Sequence, residues 1–306
     1  MKRNILYSLG ASILLAGAIS AWKTIPANEP QGSGPGKEPA LTKEPALAED
    51  VAMTEYPGLA EDTAMTEYPG LAEKPAEKAA MTIPSVPSLS SYKAGYTDYV
   101  EGLYRELNLA EDGLSQEVFH KALTGFYNLK AKGKLSAAKE ILTIVDFEKS
   151  SRDKRMWIVD LGQNKLLFHN LVAHGQGSGA DKATRFSNTE ASHQSSLGFY
   201  ITGEVYYGKH GRSLRLDGMD SDFNSNARKR AIVLHGANYV SQSFINRVGR
   251  LGRSYGCPAV PESLSDSIID KIHGKTVLFI NGPDGKYSSN YLDVLAAARY
   301  LLPVNG

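Results

Sequence analysis

Arg155-Met156-Trp157-Ile158-Val159-Asp160-Leu161-Gly162-Gln163-Asn164-Lys165-Leu166-Leu167-Phe168-His169-Asn170-Leu171-Val172-Ala173 is the stretch that decides the fold class. Residues 156–161 are rich in the aromatic and β-branched side chains that fit a pleated, buried surface, so they read as a strand. Gly162-Gln163-Asn164 is turn chemistry, and 165–173 reads as the return strand. Further strand-like runs lie at 198–207, 231–234 and 276–281, with glycine-rich stretches between them. Several short strands joined by long loops predict a mainly β domain, a sandwich or a barrel.

Upstream of this hairpin the period changes. Residues 92–107 carry apolar side chains at helical spacing. Ser115 is placed to cap a second helix running to about residue 130, with Val118, Phe119, Leu123 and Phe126 on one face. Gly133 interrupts, and 136–144 reads as a third helix; 292–301 reads as a terminal one. The helices offer no chemistry and are expected to pack on the β domain. The expected division is a helical segment over 91–150 and a catalytic domain over 151–306.

Residues 22–90 have a different character. Lys37-Glu38-Pro39-Ala40-Leu41 recurs as Lys43-Glu44-Pro45-Ala46-Leu47, and the segment 47–58 recurs over 59–70. These units are too short, and too rich in Pro, Ala and Glu, to bury a core. A semi-extended spacer is expected. Before it, Lys2 and Arg3 precede an uncharged run over 5–17, and Ala16-Gly17-Ala18 fits a small-x-small cleavage site. Residues 1–21 therefore read as an export signal, cleaved or kept as a membrane tether. The expected location is the periplasm or cell envelope.

The formal net charge is +1. It hides eleven acidic against five basic residues over 21–91, and 27 basic against 22 acidic from Tyr92 onward. An excess that small argues against nucleic-acid binding.

The chain has one cysteine, Cys257, so no intramolecular disulfide can form. An odd cysteine in an exported protein is an intermolecular link or a reactive thiol. Gly256 allows a tight turn just before it and leaves room for a carbonyl to approach the sulfur. Pro258 stiffens the exit. A nucleophilic thiol needs a base, and His235, at the end of the strand-like run 231–234 and just before Gly236, is the candidate. The alternative for Cys257 is a small buried hydrophobe, and for His235 a hydrogen-bonded strand-end histidine. Ser254 either orients His235 or satisfies its own turn. Arg253 either binds a substrate carboxylate or makes a structural ion pair. His174, in His174-Gly175-Gln176-Gly177-Ser178-Gly179, belongs to a substrate loop or to a plain flexible one; no Gly-Lys-Ser/Thr follows, which excludes a phosphate loop. His174, His193, His210 and His235 show neither i, i+4 pairing nor a Cys-x-x-Cys, so no metal and no other cofactor is expected.

At these residues the chain resembles the L,D-transpeptidase catalytic family, which crosslinks or edits bacterial peptidoglycan. That family carries a His-Gly segment followed by Ser/Thr-His-Gly-Cys; here stand His235-Gly236 and Ser254-Tyr255-Gly256-Cys257. The likeness is closer to a divergent branch, the murein L,D-transpeptidase catalytic domain proteins, whose motif Gly-Arg-Ser-aromatic-Gly-Cys-Pro-Ala is Gly252 through Ala259 here. Tyr255 stands where the common family pattern has its second histidine. The resemblance implies an L,D-transpeptidase-like β-sandwich or barrel. It also implies a thioester acyl-enzyme on Cys257 with His235 as base and an oxyanion held by backbone N–H groups near Gly256 and Cys257, and Arg253, Tyr255, Gly236 and His174 are the further candidates for a site that takes peptidoglycan stem peptides. Hydrolysis of the same acyl-enzyme would make the protein an L,D-carboxypeptidase, and a buried thiol would make it an inactive wall-binding module.

Overall fold

The computed structural model describes residues 88–302. The export signal expected over 1–21 and nearly all of the spacer expected over 22–90 lie outside the described residues. Among the described residues, no helix is long and apolar enough to cross a membrane.

Eight strands form one sheet: β1 (Ile141–Asp146), β2 (Met156–Asp160), β3 (Lys165–Asn170), β4 (Gly198–Gly208), β5 (Gly211–Gly218), β6 (Val233–Ala237), β7 (Ala259–Pro261) and β8 (Val277–Asn281). Their order across the sheet is β3-β2-β1-β8-β4-β5-β6-β7. Pairing is antiparallel except for β1 with β8 and β6 with β7. The sheet curls until its ends meet. Ala173, three residues beyond β3, donates its N–H to the Ala259 carbonyl of β7 at 2.8 Å. The result is a nearly closed, barrel-like sheet with a few helices, as the strand-rich sequence predicts.

Side-chain alternation builds two cores from the same strands. On β8, Val277 and Phe279 face one way while Leu278 and Ile280 face the other. On β2, Trp157 and Val159 oppose Met156 and Ile158. One set fills the barrel with Tyr200, Leu216 and Leu234 and meets α4 (Glu262–Ile272) through Ile268, Ile269 and Ile272. The other set lies under α1 (Leu89–Glu106), α2 (Gln116–Ala131) and α5 (Val294–Leu301). A fifth helix, α3 (Gln242–Val248), lies between β6 and β7. Ser115 caps α2 by accepting the Val118 N–H at 3.2 Å. Gly125 lets α2 approach the sheet: a Cβ there would sit 2.0 Å from the Phe199 ring.

The third helix expected over 136–144 is not formed. Residues 141–146 are β1, the strand between β2 and β8. Leu142 and Ile144 meet the helices while Ile141 and Val145 enter the barrel, so the whole run is apolar and its period is hidden. β1 precedes residue 151 yet sits inside the sheet, so the segment expected to be helical over 91–150 also supplies a central strand.

Candidate active site

The site lies where the two ends of the sheet converge. His235 is in β6 and pairs with Ser213 of β5 and Ala259 of β7. Leu234 points into the barrel, so Val233 and His235 point out of it. Carried back two residues, the parallel β6/β7 register sets Cys257 beside Val233 and diagonal to His235. Two residues of rise, about 6.6 Å, and one strand spacing, about 4.8 Å, separate the backbones of Cys257 and His235. The thiol confirms this placement. Val233 donates its N–H to Sγ at 3.5 Å, and the S–H faces the Ala231 carbonyl at 3.8 Å.

Cys257 and His235 line one open cavity of about 500 Å³. Lys209, His210, Arg230, Tyr239, Arg253 and Tyr255 share its walls. Among the described residues, no acidic side chain does. Cys257 is half-buried, and burial pushes its thiol up, against the opposing pull of the Val233 N–H, Arg230 and Lys209. Burial pushes the His235 imidazole down; the Gly236 carbonyl opposes that, and His210 and Lys209 add to it. The resting pair is therefore a neutral thiol and a neutral imidazole. His235 Nδ1 lies 2.9 Å from the Gly236 carbonyl. A carbonyl only accepts, so Nδ1 carries the proton and Nε2 holds the free lone pair. No hydrogen bond joins His235 to the thiol among the described residues.

Ser254 is buried and closes the turn that presents the thiol. Its hydroxyl donates to the Cys257 carbonyl at 2.6 Å and accepts the Gly256 N–H at 3.1 Å. It makes no hydrogen bond to His235, so of its two expected roles it fills the local one. Gly256 has φ +120°, and a Cβ there would lie 2.8 Å from the Gln194 carbonyl oxygen. Because the Gly256 N–H is committed to Ser254, it is not the oxyanion donor expected of it. The Cys257 N–H has no other partner among the described residues and lies against its own sulfur.

Arg253 makes no ion pair among the described residues. Its Nη1 donates to the Gly179 carbonyl at 2.8 Å, which leaves the rest of the guanidinium fork for the cavity. Tyr255 is exposed and stacks on His193, centroids 4.4 Å apart. Gly236 does not line the cavity. It gives His235 its acceptor and admits α4, since a Cβ there would lie 2.7 Å from Ser265 Oγ. His174 does not line the cavity either, which corrects its placement on a substrate loop. It is 1% exposed, with Nδ1 2.8 Å from Nη2 of the buried Arg155. Burial and that guanidinium push its imidazole down to about 4. It props the active loop from behind: its carbonyl accepts the Ser254 N–H at 3.0 Å.

Lys209, His210, Arg230 and Tyr239 were given no role on sequence grounds. Arg230 holds the 187–196 loop through the carbonyls of Ser187 and Gln194, both at 2.6 Å. Among the described residues, no three His, Cys, Asp or Glu side chains gather as a metal site.

A family model for the L,D-transpeptidase catalytic domain matches residues 110–281, more than half of the chain. Similar solved structures include an L,D-transpeptidase from Mycobacterium smegmatis, with 10% identity, 47% of this chain and 59% of that one covered, and a TM-score of 0.30. The helical cell shape determining protein Pgp2 from Campylobacter jejuni has 14% identity, coverage of 59% and 63%, and a TM-score of 0.32. An L,D-transpeptidase from Stackebrandtia nassauensis has 15% identity, coverage of 53% and 66%, and a TM-score of 0.28. The chain thus spans about three-fifths of the length of these structures. No curated protein matches it.

Proposed function

The chain belongs to the L,D-transpeptidase catalytic-domain family, and we propose that it is a peptidoglycan L,D-transpeptidase working through a Cys257 thioester with His235 as base. Cys257 and His235 share one cavity wall with the free Nε2 fixed by the Nδ1 hydrogen bond, and that single observation carries the assignment.

In the first step Sγ attacks the amide carbonyl after the diamino-acid residue of a stem peptide. Nε2 takes the thiol proton as the C–S bond forms. The amide oxygen becomes an oxyanion, for which the Cys257 N–H beside the sulfur is the backbone donor at hand; a donor of this kind is worth about 2.7–4 kcal/mol in the transition state. The C–N bond then breaks, and the imidazolium returns its proton to the leaving amine of D-alanine. An acceptor amine attacks the thioester, gives its proton to His235 and releases the thiol. Arg253 and the other cations of the cavity suit a substrate that carries carboxylates. Work in the cell envelope agrees with the reading of residues 1–21 as an export signal.

The test is mass spectrometry of the protein incubated with a tetrapeptide muropeptide. A Cys257 adduct with release of D-alanine and crosslinked dimers is expected. D-Alanine with tripeptide alone would reassign the protein as an L,D-carboxypeptidase. No adduct, with Cys257→Ala indistinguishable from wild type, would make it a wall-binding module.

A further inference from the structure

The imidazoles of His210 and His235 lie face to face, with centroids 4.3 Å apart and planes 19° from parallel. The chemistry set out above makes no use of this contact. His210 belongs to the β4–β5 hairpin, where Gly208 pairs with Gly211 and leaves a tip of only Lys209 and His210. A tip this short has little freedom in where it points its side chains. Both tip residues are exposed, yet the His210 ring lies at the cavity wall against His235.

The His235 ring is thereby held on two sides. Its edge is held at Nδ1 by the Gly236 carbonyl, and its face is covered by His210. An imidazole has two soft torsions, and the second is broad and close to two-fold. The edge contact alone tolerates rocking of the ring; a face contact removes it. We infer that His210 is a positioning residue, whose stacked ring holds the His235 imidazole in the orientation that turns Nε2 to the cavity.

Electrostatics work in the same direction. Two stacked imidazoliums repel, so the pair resists taking two protons. His210 and Lys209 both push the His235 imidazole down, beyond the effect of burial. The charged or titratable groups around His235 are Lys209 and His210 on the hairpin, Arg230, Arg253 and Cys257 on the loops, and Glu262 of α4 behind Gly236, together with the phenols of Tyr206, Tyr239 and Tyr255. Most of the charged ones are cationic, so the neutral base is the favoured form.

The inference rests on the reading of His235 as the base, and two readouts separate its failure from failure of that reading. One is the tautomer and titration of His235, followed by the ring-nitrogen shifts of histidine-labelled protein. The other is the rate of Cys257 acylation by a tetrapeptide donor across pH. His210→Phe keeps an aromatic face without charge, and His210→Ala removes the face. Expected for His210→Ala is a loss of about tenfold to a hundredfold in acylation, the scale of a misplaced reacting group. It should also lose its single Nδ1–H tautomer, and His235 should titrate at higher pH. His210→Phe should recover most of the rate and the single tautomer. Two results would overturn the inference: His210→Ala acylating at the wild-type rate with its tautomer intact, or His210→Phe failing as badly as His210→Ala. If the wild type acylates with no donor, the enzyme reading fails, and the ring-nitrogen shifts still decide whether His210 holds His235.

Discussion

Ser254→Ala removes one hydroxyl, and the structure fixes what that costs. The oxygen donates to the Cys257 carbonyl at 2.6 Å and accepts the Gly256 N–H at 3.1 Å, and the residue is only 6% exposed. Each bond contributes about 1 kcal/mol net, and a buried N–H left without a partner costs about 1–3 kcal/mol more. A loss of about 3–5 kcal/mol is expected, a large share of the roughly 5–15 kcal/mol that holds a domain folded. The turn cannot loosen alone, because the Ser254 N–H donates to the His174 carbonyl and the Ser254 carbonyl accepts the Gln176 N–H at 2.8 Å. Urea unfolding should therefore report the loss. Thiol chemistry should split in two directions. Alkylation by iodoacetamide needs only access and should quicken, whereas acylation by a peptide donor needs placement and should slow. Ser254→Thr keeps the hydroxyl and should stay within about 1 kcal/mol of wild type. If Ser254→Ala lies within about 0.5 kcal/mol of wild type and both reactions are unchanged, the hydroxyl does not hold the turn. If stability is unchanged but His235 titrates differently, Ser254 acts on the base instead.

Three more outcomes follow from the geometry. Gly125→Ala in α2 would ordinarily gain about 1 kcal/mol of helix propensity; with a Cβ 2.0 Å from the Phe199 ring it should instead lose about 1–3 kcal/mol by overpacking, and a melting curve above wild type would refute the close approach. His174 takes a proton near pH 6.5 when unfolded but at about 4 when folded. Below pH 6.5 the unfolded chain binds the extra proton, so stability is lost as pH falls from 6.5 towards 4, by up to about 3 kcal/mol. His174→Gln should flatten that part of the stability–pH curve, and an unaltered slope would count against the buried neutral imidazole. Lys209→Gln removes a charge that draws the thiol down; the thiolate is the reactive form, so the alkylation midpoint should move to higher pH and the rate at neutral pH should fall.

Elements bordered by a cap or turn signal are legible in the sequence even when both faces are dry, as β2 is beside Gly162-Gln163-Asn164. α2 announced itself through the Ser115 cap and the spacing of Val118, Phe119, Leu123 and Phe126. β1 did not, because Ile141-Leu142-Thr143-Ile144-Val145 is buried on both sides. A run with no polar period fits helix and strand alike, and no glycine or proline borders this one. α4 has its own signal in the sequence, Leu264, Ile268, Ile269 and Ile272 at helical spacing. His210 was visible as a loop histidine but not as a neighbour of His235. Its position depends on β5, which was not read as a strand, and on the two-residue tip that β5 creates with β4.

The 21 residues between His235 and Cys257 show why the pair itself is legible while its geometry is not. In the sequence they measure only separation. In the fold they are a crossover, because β6 and β7 run parallel and α3 lies between them. Parallel neighbours need a connection of a dozen or more residues. That connection returns the chain to the strand it left, in the same direction and register. Residue 259 then lies beside 235, and residue 257 beside 233 on the same face. A hairpin would have brought the chain back running the opposite way. The site thus depends on the crossover more than on the motif, and a change in its length that shifted the β6/β7 register by one residue would turn Cys257 to the opposite face from His235.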